Sequence, residues 1–331
     1  MRFVFFTILA LILPAAASAQ FTIGTVGDTV GSTFTLTALP QYPTPFSKTT
    51  LSFLSDSLDL TNATLSVSAD GKKVYEGSVR PVAVTLGRAG SVTSIVATIS
   101  SGGATYNQSL LVQPQDVAII AEPISSLPPL YRGKSLVPLE GSVRVVAVAN
   151  LKNASGKTVD PVTLSYAWEV DGTQIANSSG IGKMVIMVAS PLQYRSRSIT
   201  VTARSSDGSL VGGDTLTLTA LEPSVRIYEN DSLLGIRFDH ALSGGFSIGE
   251  AESTLYAAPY SLPTTVGAPL VQWFLNGTVA QTGNSITLKP TGSGQGSASL
   301  SLVASVGDSV RATMILPLTF GAKSGSNFFG L

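Results

Sequence analysis

The sequence contains no cysteine and a single histidine, His240, among its 331 residues. Without cysteine the chain can form no disulfide bond, so each domain must be stabilised by its hydrophobic core alone. One histidine without cysteine cannot supply the usual ligand set of a zinc site. We therefore expect no bound metal and no cofactor, and we interpret His240 as an exposed loop residue.

Charged side chains are also scarce. They make up 12% of the chain, and the 20 basic and 20 acidic residues give a formal net charge of zero. Binding to a phosphate backbone requires clustered lysine and arginine, so the composition excludes nucleic acid as a partner. The long helix formers glutamate, lysine and glutamine are few, whereas serine, threonine, glycine, valine, alanine and leucine are abundant. This composition is typical of β-sheets joined by short turns.

Long apolar runs are missing except at the start of the chain. Met1-Arg2 supplies a positive charge, Phe3 to Leu13 is apolar, and Ala17-Ser18-Ala19 has the small-x-small form of a cleavage site. This pattern predicts a signal peptide over residues 1–19, with cleavage before Gln20. The apolar run is shorter than the ~20 residues that span a bilayer. We expect an exported chain, located in the periplasm, at the cell surface or outside the cell, with no membrane span after cleavage.

The two tryptophans of the chain lie in a repeated pattern. The stretch Tyr166-x-Trp168-x-x-Asp171-Gly172 returns in altered form as Val271-x-Trp273-x-x-Asn276-Gly277. In both copies a run that alternates apolar and polar residues ends in an Asp-Gly or Asn-Gly turn, which predicts a strand entering a hairpin. A third copy ends at Asp70-Gly71, with Val67 in place of tryptophan. Because this position accepts either side chain, we interpret Trp168, Trp273 and the neighbouring Tyr166 as markers of a buried core.

The spacing that follows each turn is nearly constant. A late strand begins 24 residues after Gly71, 27 after Gly172 and 23 after Gly277. The interval predicts three copies of one all-β fold, at residues 20–114, 115–222 and 223–321, with short junctions between them and a flexible tail over 322–331. Alternation predicts strands at 34–39, 50–54, 64–69, 94–100, 108–112, 117–120, 142–149, 164–170, 199–203, 216–220, 225–228, 254–257, 300–303 and 314–316.

The tryptophan pattern and the late hairpin resemble the immunoglobulin-like and polycystic-kidney-disease-like β-sandwich modules that recur in exported bacterial proteins. The resemblance implies three tandem immunoglobulin-like sandwiches and carries over no catalytic residue. Members of that group serve as spacers, adhesive modules or subunits of surface structures. We therefore expect a non-catalytic structural or protein-interaction module of the bacterial cell envelope or of a surface assembly, whose partners are other envelope or surface proteins. The alternative is a glycan-binding adhesin.

Four tyrosines are the candidate contacts for such a partner or glycan: Tyr42, Tyr131, Tyr194 and Tyr260. Each lies near prolines or turns, where an exposed ring can stack on a sugar or anchor a protein. The same rings can instead cap the ends of the sandwiches, and this is the interpretation that we favour. The sequence leaves both interpretations open.

One stretch has the form of a catalytic motif. Gly245-Phe246-Ser247-Ile248-Gly249 matches the nucleophile elbow of hydrolases, which places a serine on a strand-to-helix turn ahead of its histidine base. Here His240 precedes the serine and no helical pattern follows. The acidic residues nearby lack the spacing of a glycosidase pair or a calcium loop. We interpret the stretch as a glycine-rich turn between strands and expect the chain not to be an enzyme.

Overall fold

The computed structural model describes residues 34–249, 252–291 and 295–321. The predicted signal peptide and tail lie outside the described residues. Those residues form strands and two short 3-10 helices, Pro161–Thr163 and Ala176–Ser178, and they contain no α-helix. Two compact units share them: residues 34–41, 48–87 and 92–113 form the first, and the remaining described residues form the second.

The first unit is one sandwich of two antiparallel sheets. Its sheets have the strand orders β1-β2-β5 and β4-β3-β6-β7. The strands are β1 (Thr35–Leu39), β2 (Lys48–Leu54), β3 (Thr64–Ala69), β4 (Lys72–Ser78), β5 (Val82–Thr85), β6 (Thr93–Ser101) and β7 (Ala104–Val112).

The second unit contains two further sandwiches. In the first of these, the second sandwich of the chain, the sheet orders are β13-β9-β8 and β11-β10-β14-β15, with β12 also paired to β10. Its strands are β8 (Asp116–Pro123), β9 (Ser142–Asn150), β10 (Ser165–Val170), β11 (Thr173–Gln174), β12 (Gly180–Ile181), β13 (Val185–Ala189), β14 (Ser196–Arg204) and β15 (Val211–Thr219).

Among the described residues, the third sandwich keeps this plan without a counterpart of β12 and adds two strands. A hairpin partner, β17, extends one sheet to the order β17-β16-β19-β22, and β18 pairs in parallel with β24 in the sheet β18-β24-β23-β20-β21. Its strands are β16 (Ser224–Asp231), β17 (Gly235–Leu242), β18 (Phe246–Ile248), β19 (Ser253–Tyr260), β20 (Leu270–Leu275), β21 (Thr278–Thr282), β22 (Ser285–Leu288), β23 (Gly296–Val306) and β24 (Val310–Phe320).

Each sandwich has its own hydrophobic core, built by strand alternation. In β9, for example, Val143, Val145, Ala147 and Ala149 are buried while the residues between them face outward, because successive side chains of a strand point to opposite faces. Three separate clusters of buried apolar residues result, one per sandwich. The prediction of an all-β chain of tandem immunoglobulin-like sandwiches is confirmed.

The Asp-Gly and Asn-Gly pairs form the predicted two-residue hairpins. Asp70 and Gly71 have φ of 50° and 77°, Asp171 and Gly172 have 52° and 78°, and Asn276 and Gly277 have 49° and 83°. Positive φ at both central residues is the requirement of a type I′ turn, whose twist matches that of the flanking strands. The turns join β3 to β4, β10 to β11 and β20 to β21.

The interpretation of residues 245–249 as a turn is wrong in one respect. Phe246–Ile248 is the short strand β18, whose partner in the sheet, β24, lies far along the chain. A three-residue strand that pairs in parallel with so distant a segment leaves no local periodicity to detect. Strands β5, β12, β13, β17 and β22 also escaped the sequence prediction.

Candidate functional site

Both tryptophans lie in the cores of their sandwiches. Trp168 and Trp273 have no exposed surface, and each indole Nε1 donates a 2.8 Å hydrogen bond to a backbone oxygen, that of Lys183 and that of Gly283. Trp168 lies opposite Val201 in the neighbouring strand. Both rings are therefore enclosed by protein and cannot contact a ligand.

Tyr166 is buried beside Trp168. It is 1% exposed, and its hydroxyl donates to the backbone oxygen of Pro161 over 3.0 Å. Burial, with a smaller contribution from Asp160, raises the pKa of Tyr166 above its ordinary value. At Val67, the equivalent of Trp168 in the first sandwich, the side chain is also fully buried and lies opposite Ala97.

The structure brings two of the four candidate tyrosines together. The rings of Tyr131 and Tyr260 meet edge to face, with centroids 6.0 Å apart, a favourable arrangement for aromatic pairs. Tyr42 lies apart from them, half-buried over Gly213, with its hydroxyl 3.4 Å from Thr202 Oγ1. Tyr194 stands alone and is 92% exposed.

Tyr131 and Tyr260 belong to a larger aromatic cluster on the outer face of the sheet β17-β16-β19-β22. The hydroxyls of Tyr260 and Tyr228 are 2.8 Å apart. Phe238 lies between Tyr228 and Tyr256, with ring centroids 5.2 Å and 6.0 Å away. We call these five rings the tyrosine cluster.

Electrostatics favour the neutral hydroxyl of Tyr260. Burial, together with the hydrogen bond to Tyr228, raises the pKa of Tyr260 well above its ordinary value, and this outweighs the opposing effect of Arg226. The Arg226 guanidinium lies 5.6 Å from the centre of the Tyr260 ring, in the range of a cation–π contact. The cluster thus offers aromatic faces, one cation and the neutral hydroxyl of Tyr260, which suit binding by stacking rather than proton transfer.

The junction between the second and third sandwiches is a short ladder of hydrogen bonds. The Ser126 amide donates to Leu262 O over 2.7 Å, and the Ser261 amide donates to Ser126 O over 3.1 Å. The Leu262 amide in turn donates to Ser126 Oγ over 3.1 Å. Ser261 and Leu262 are fully buried. Because Tyr131 lies shortly after Ser126 and Tyr260 just before Ser261, this ladder is what holds the two rings together.

Sequence reasoning missed Arg226, Tyr228, Phe238 and Tyr256. A signal was present: Arg226 and Tyr228 are two residues apart in β16, and Tyr256 and Tyr260 are four apart in β19. Residues at even spacing lie on one face of a strand, so each pair shares the outer face. The packing of Tyr131 against this face depends on the junction between the two sandwiches, and no local sequence pattern encodes the junction.

The residues of the catalytic motif are not arranged as that motif requires. Ser247 is exposed in the middle of β18 and is not on a strand-to-helix turn. His240 is exposed in β17 rather than in a loop. Within the part of the chain that the structure describes, no three histidine, cysteine, aspartate or glutamate side chains are grouped to hold a metal ion. The described residues also include no helix with the length and apolar character to cross a membrane.

No protein-family model and no curated protein matches the sequence. By structure, the chain is similar to the three N-terminal domains of Hoc, the highly immunogenic outer capsid protein of bacteriophage RB49. That match has 12% identity and a TM-score of 0.24, over 87% of this chain and 98% of that chain.

Two other solved structures are similar at the same level. Fibronectin(III)-like modules of Clostridium thermocellum CbhA match at 13% identity and a TM-score of 0.23, over 59% of this chain and 92% of theirs. The central fibronectin-III array of RIM-binding protein matches at 9% identity and a TM-score of 0.29, over 86% of this chain and 96% of that chain. Likeness at this level carries no argument about this chain.

Proposed function

We propose that the chain is an exported, non-catalytic module of a bacterial cell envelope or surface assembly, with a structural or protein-interaction role. In this proposal residues 1–19 are the signal peptide, 20–114, 115–222 and 223–321 are the three sandwich domains, and 322–331 is a flexible tail. Its partners are other envelope or surface proteins.

The observation that carries the proposal is the hydrogen-bonded ladder at the junction of Ser126 and Leu262. A flexible linker leaves neighbouring domains free to reorient. Here backbone amides and a buried serine hydroxyl join the second and third sandwiches. An additional bond, from Ser309 Oγ to Glu140 Oε2 over 2.7 Å, links the same two sandwiches. Such a junction supports a role in which the sandwiches hold a surface at a fixed position.

The proposed contact surface lies beside that junction, on the segment that carries Tyr131. Leu130 is 92% exposed and Tyr131 is 41% exposed, so the segment presents an apolar and an aromatic side chain next to each other. Leu130 also has a positive φ of 61°, which a leucine adopts only where its surroundings impose it. Tyrosine is among the residue types that are enriched at the energetic centres of protein interfaces.

The proposal is tested by affinity isolation of the full chain from its native envelope after mild cross-linking. We expect stoichiometric recovery of one or more envelope proteins. Recovery of the chain only as a free monomer, under conditions that preserve other envelope complexes, would contradict the proposed role.

Glycan binding is the second candidate, and the pair of Tyr131 and Tyr260 favours it. Sugars stack on aromatic rings and accept or donate hydrogen bonds. Here the hydroxyls of Tyr260 and Tyr228 are paired, and the guanidinium of Arg226 lies over the Tyr260 ring. A glycan array probed with the mature chain tests this candidate, with Tyr131→Ala as the loss-of-binding variant and Tyr194→Ala as the control at a separate exposed tyrosine. Absence of any signal above background would remove it.

A further inference from the structure

The three sandwiches differ at one equivalent position, near the start of the late strands β6, β14 and β23. The backbone amides of Ser94, Ser198 and Ser299 donate to the side chains of the turn residues Asp70, Asp171 and Asn276. These three serines are therefore structural equivalents. The residues just before them are, in order, Thr93, Arg197 and Ala298.

Arg197 closes the end of the second sandwich. Its Nη1 donates to the backbone oxygen of Ala189, at the end of β13, over 2.9 Å. Its Nε lies 3.1 Å from Asp171 Oδ2. The guanidinium thus crosses from one sheet to the other and fills the space between their ends.

Ala298 cannot do the same in the third sandwich, because its single methyl group is too short to cross between the sheets. Asn276 also replaces the aspartate that pairs with the arginine. At this end of the third sandwich lies a cavity of about 270 Å³. We call it the end cavity.

The lining of the end cavity combines apolar walls with a polar mouth of similar extent, to which Thr291 and Ser297 contribute. Its apolar walls come from both sheets: Ile248, Leu275, Leu288, Ala298, Leu318 and Phe320. Lys289 is the one charged residue among the described residues that line it. Asn276 also lines the rim, and since its Oδ1 is bonded to the Ser299 amide, its Nδ2 remains to donate to a ligand.

We propose that the end cavity binds a small amphiphile with an aliphatic body and a carboxylate head, a medium-chain fatty acid being the representative ligand. The aliphatic chain lies among the leucines, and the carboxylate pairs with Lys289 and Asn276. The volume lies near the lower limit of the roughly 300–1,000 Å³ typical of small-molecule pockets, which favours a short chain. Apolar walls beside polar groups that fix the orientation of the ligand are features of small-molecule sites, and an extended polar mouth suits a charged head group. This inference is independent of the proposed interaction role.

The test is titration calorimetry of the full mature chain with octanoate. We expect saturable binding that Ala298→Arg, which restores the side chain of the second sandwich, weakens at least tenfold. Thr313→Arg is the matched control, because Thr313 is exposed on β24 outside the cavity and the variant adds the same charge. Equal binding by wild type and Ala298→Arg, or no binding by wild type, would overturn the proposal.

Two further measurements test the proposed site without relying on the folding of the Ala298→Arg variant. In the wild-type chain, octanoate should shift the methyl resonance of Ala298, and unchanged resonances of Ala298 and the cavity leucines at saturation would overturn the proposed location. Lys289→Gln should weaken octanoate several-fold and leave the affinity for the uncharged octanol unchanged. An equal loss of affinity for octanoate and for octanol would contradict recognition of the carboxylate.

Discussion

Asp70 and Ser94 exchange two hydrogen bonds within one sheet of the first sandwich, between the turn after β3 and the neighbouring strand β6. The Asp70 amide donates to Ser94 O over 2.8 Å, and the Ser94 amide donates to Asp70 Oδ1 over 2.8 Å. Asp171 with Ser198, and Asn276 with Ser299, form the same reciprocal pair. The turn residue is thus held in its positive-φ conformation by the strand that pairs beside the turn.

Asp70→Ala should therefore loosen the first sandwich. The substitution leaves the Ser94 amide without its acceptor and places alanine at a φ of 50°, and we expect the free energy of local opening to fall by about 1–3 kcal/mol. Amide hydrogen exchange of β3 and β6 in the full chain measures this. Asp70→Asn is the control, because asparagine occupies the equivalent position 276 and keeps the acceptor; a loss as large as that of Asp70→Ala would contradict the account.

Trp168→Val should destabilise the second sandwich strongly. Valine fills the equivalent position 67 of the first sandwich, but Trp168 packs in a core sized for an indole and bonds Lys183 O. We expect a loss of about 3–5 kcal/mol, the range for large-to-small core substitutions, measured by hydrogen exchange of β10 and β14. Glu169→Val, on the exposed face of the same strand, is the control and should change the opening free energy by less than about 1 kcal/mol.

Much of this framework could be predicted from the sequence. Strand β3 was predicted at its observed bounds, 64–69. The nearly constant interval between each turn and the late strand also has a structural basis, because reciprocal hydrogen bonds such as those of Asp70 with Ser94 join these two places. The alternation within β3 is local and the interval is repeated, so both can be recognised in the sequence. The tyrosine cluster is neither, since Tyr131 and Tyr260 meet only because the Ser126 ladder joins two sandwiches.

The end cavity could not be predicted from the sequence, for a related reason. Ala298 is an unremarkable residue in an alternating strand, and only its structural equivalence to Arg197 reveals that a closing side chain is missing. That equivalence depends on hydrogen bonds between segments more than 20 residues apart. Sequence periodicity describes which face a residue lies on, but not what lies opposite it.

The tyrosine cluster should make the third sandwich sensitive to alkaline pH. The pKa of Tyr260 is higher in the folded chain than the value of about 10 in an unfolded chain. Its contribution to stability is therefore fully present below about pH 10 and is lost as the pH rises toward the folded value. Tyrosinate absorbance should show a late-titrating component that decreases in Tyr260→Phe; a component of unchanged amplitude would contradict this assignment.

Ser126→Ala should weaken the junction between the second and third sandwiches. The buried Leu262 amide loses its acceptor, Ser126 Oγ, and an unsatisfied buried amide costs about 1–3 kcal/mol. We expect faster exchange of the Leu262 amide and a broader distribution of sandwich orientations by small-angle scattering. Ser232→Ala, at an exposed turn, is the control; identical profiles for the two variants would show that the ladder does not hold the junction.

The most direct measurement of the proposed role is site-specific photo-cross-linking in the native envelope. A photoreactive residue replaces Leu130 in one variant and Leu233 in another, and both positions are 92% exposed. The account predicts a discrete cross-linked partner from position 130 and little or none from position 233. Equal yields from both positions, or no adduct from position 130, would contradict it.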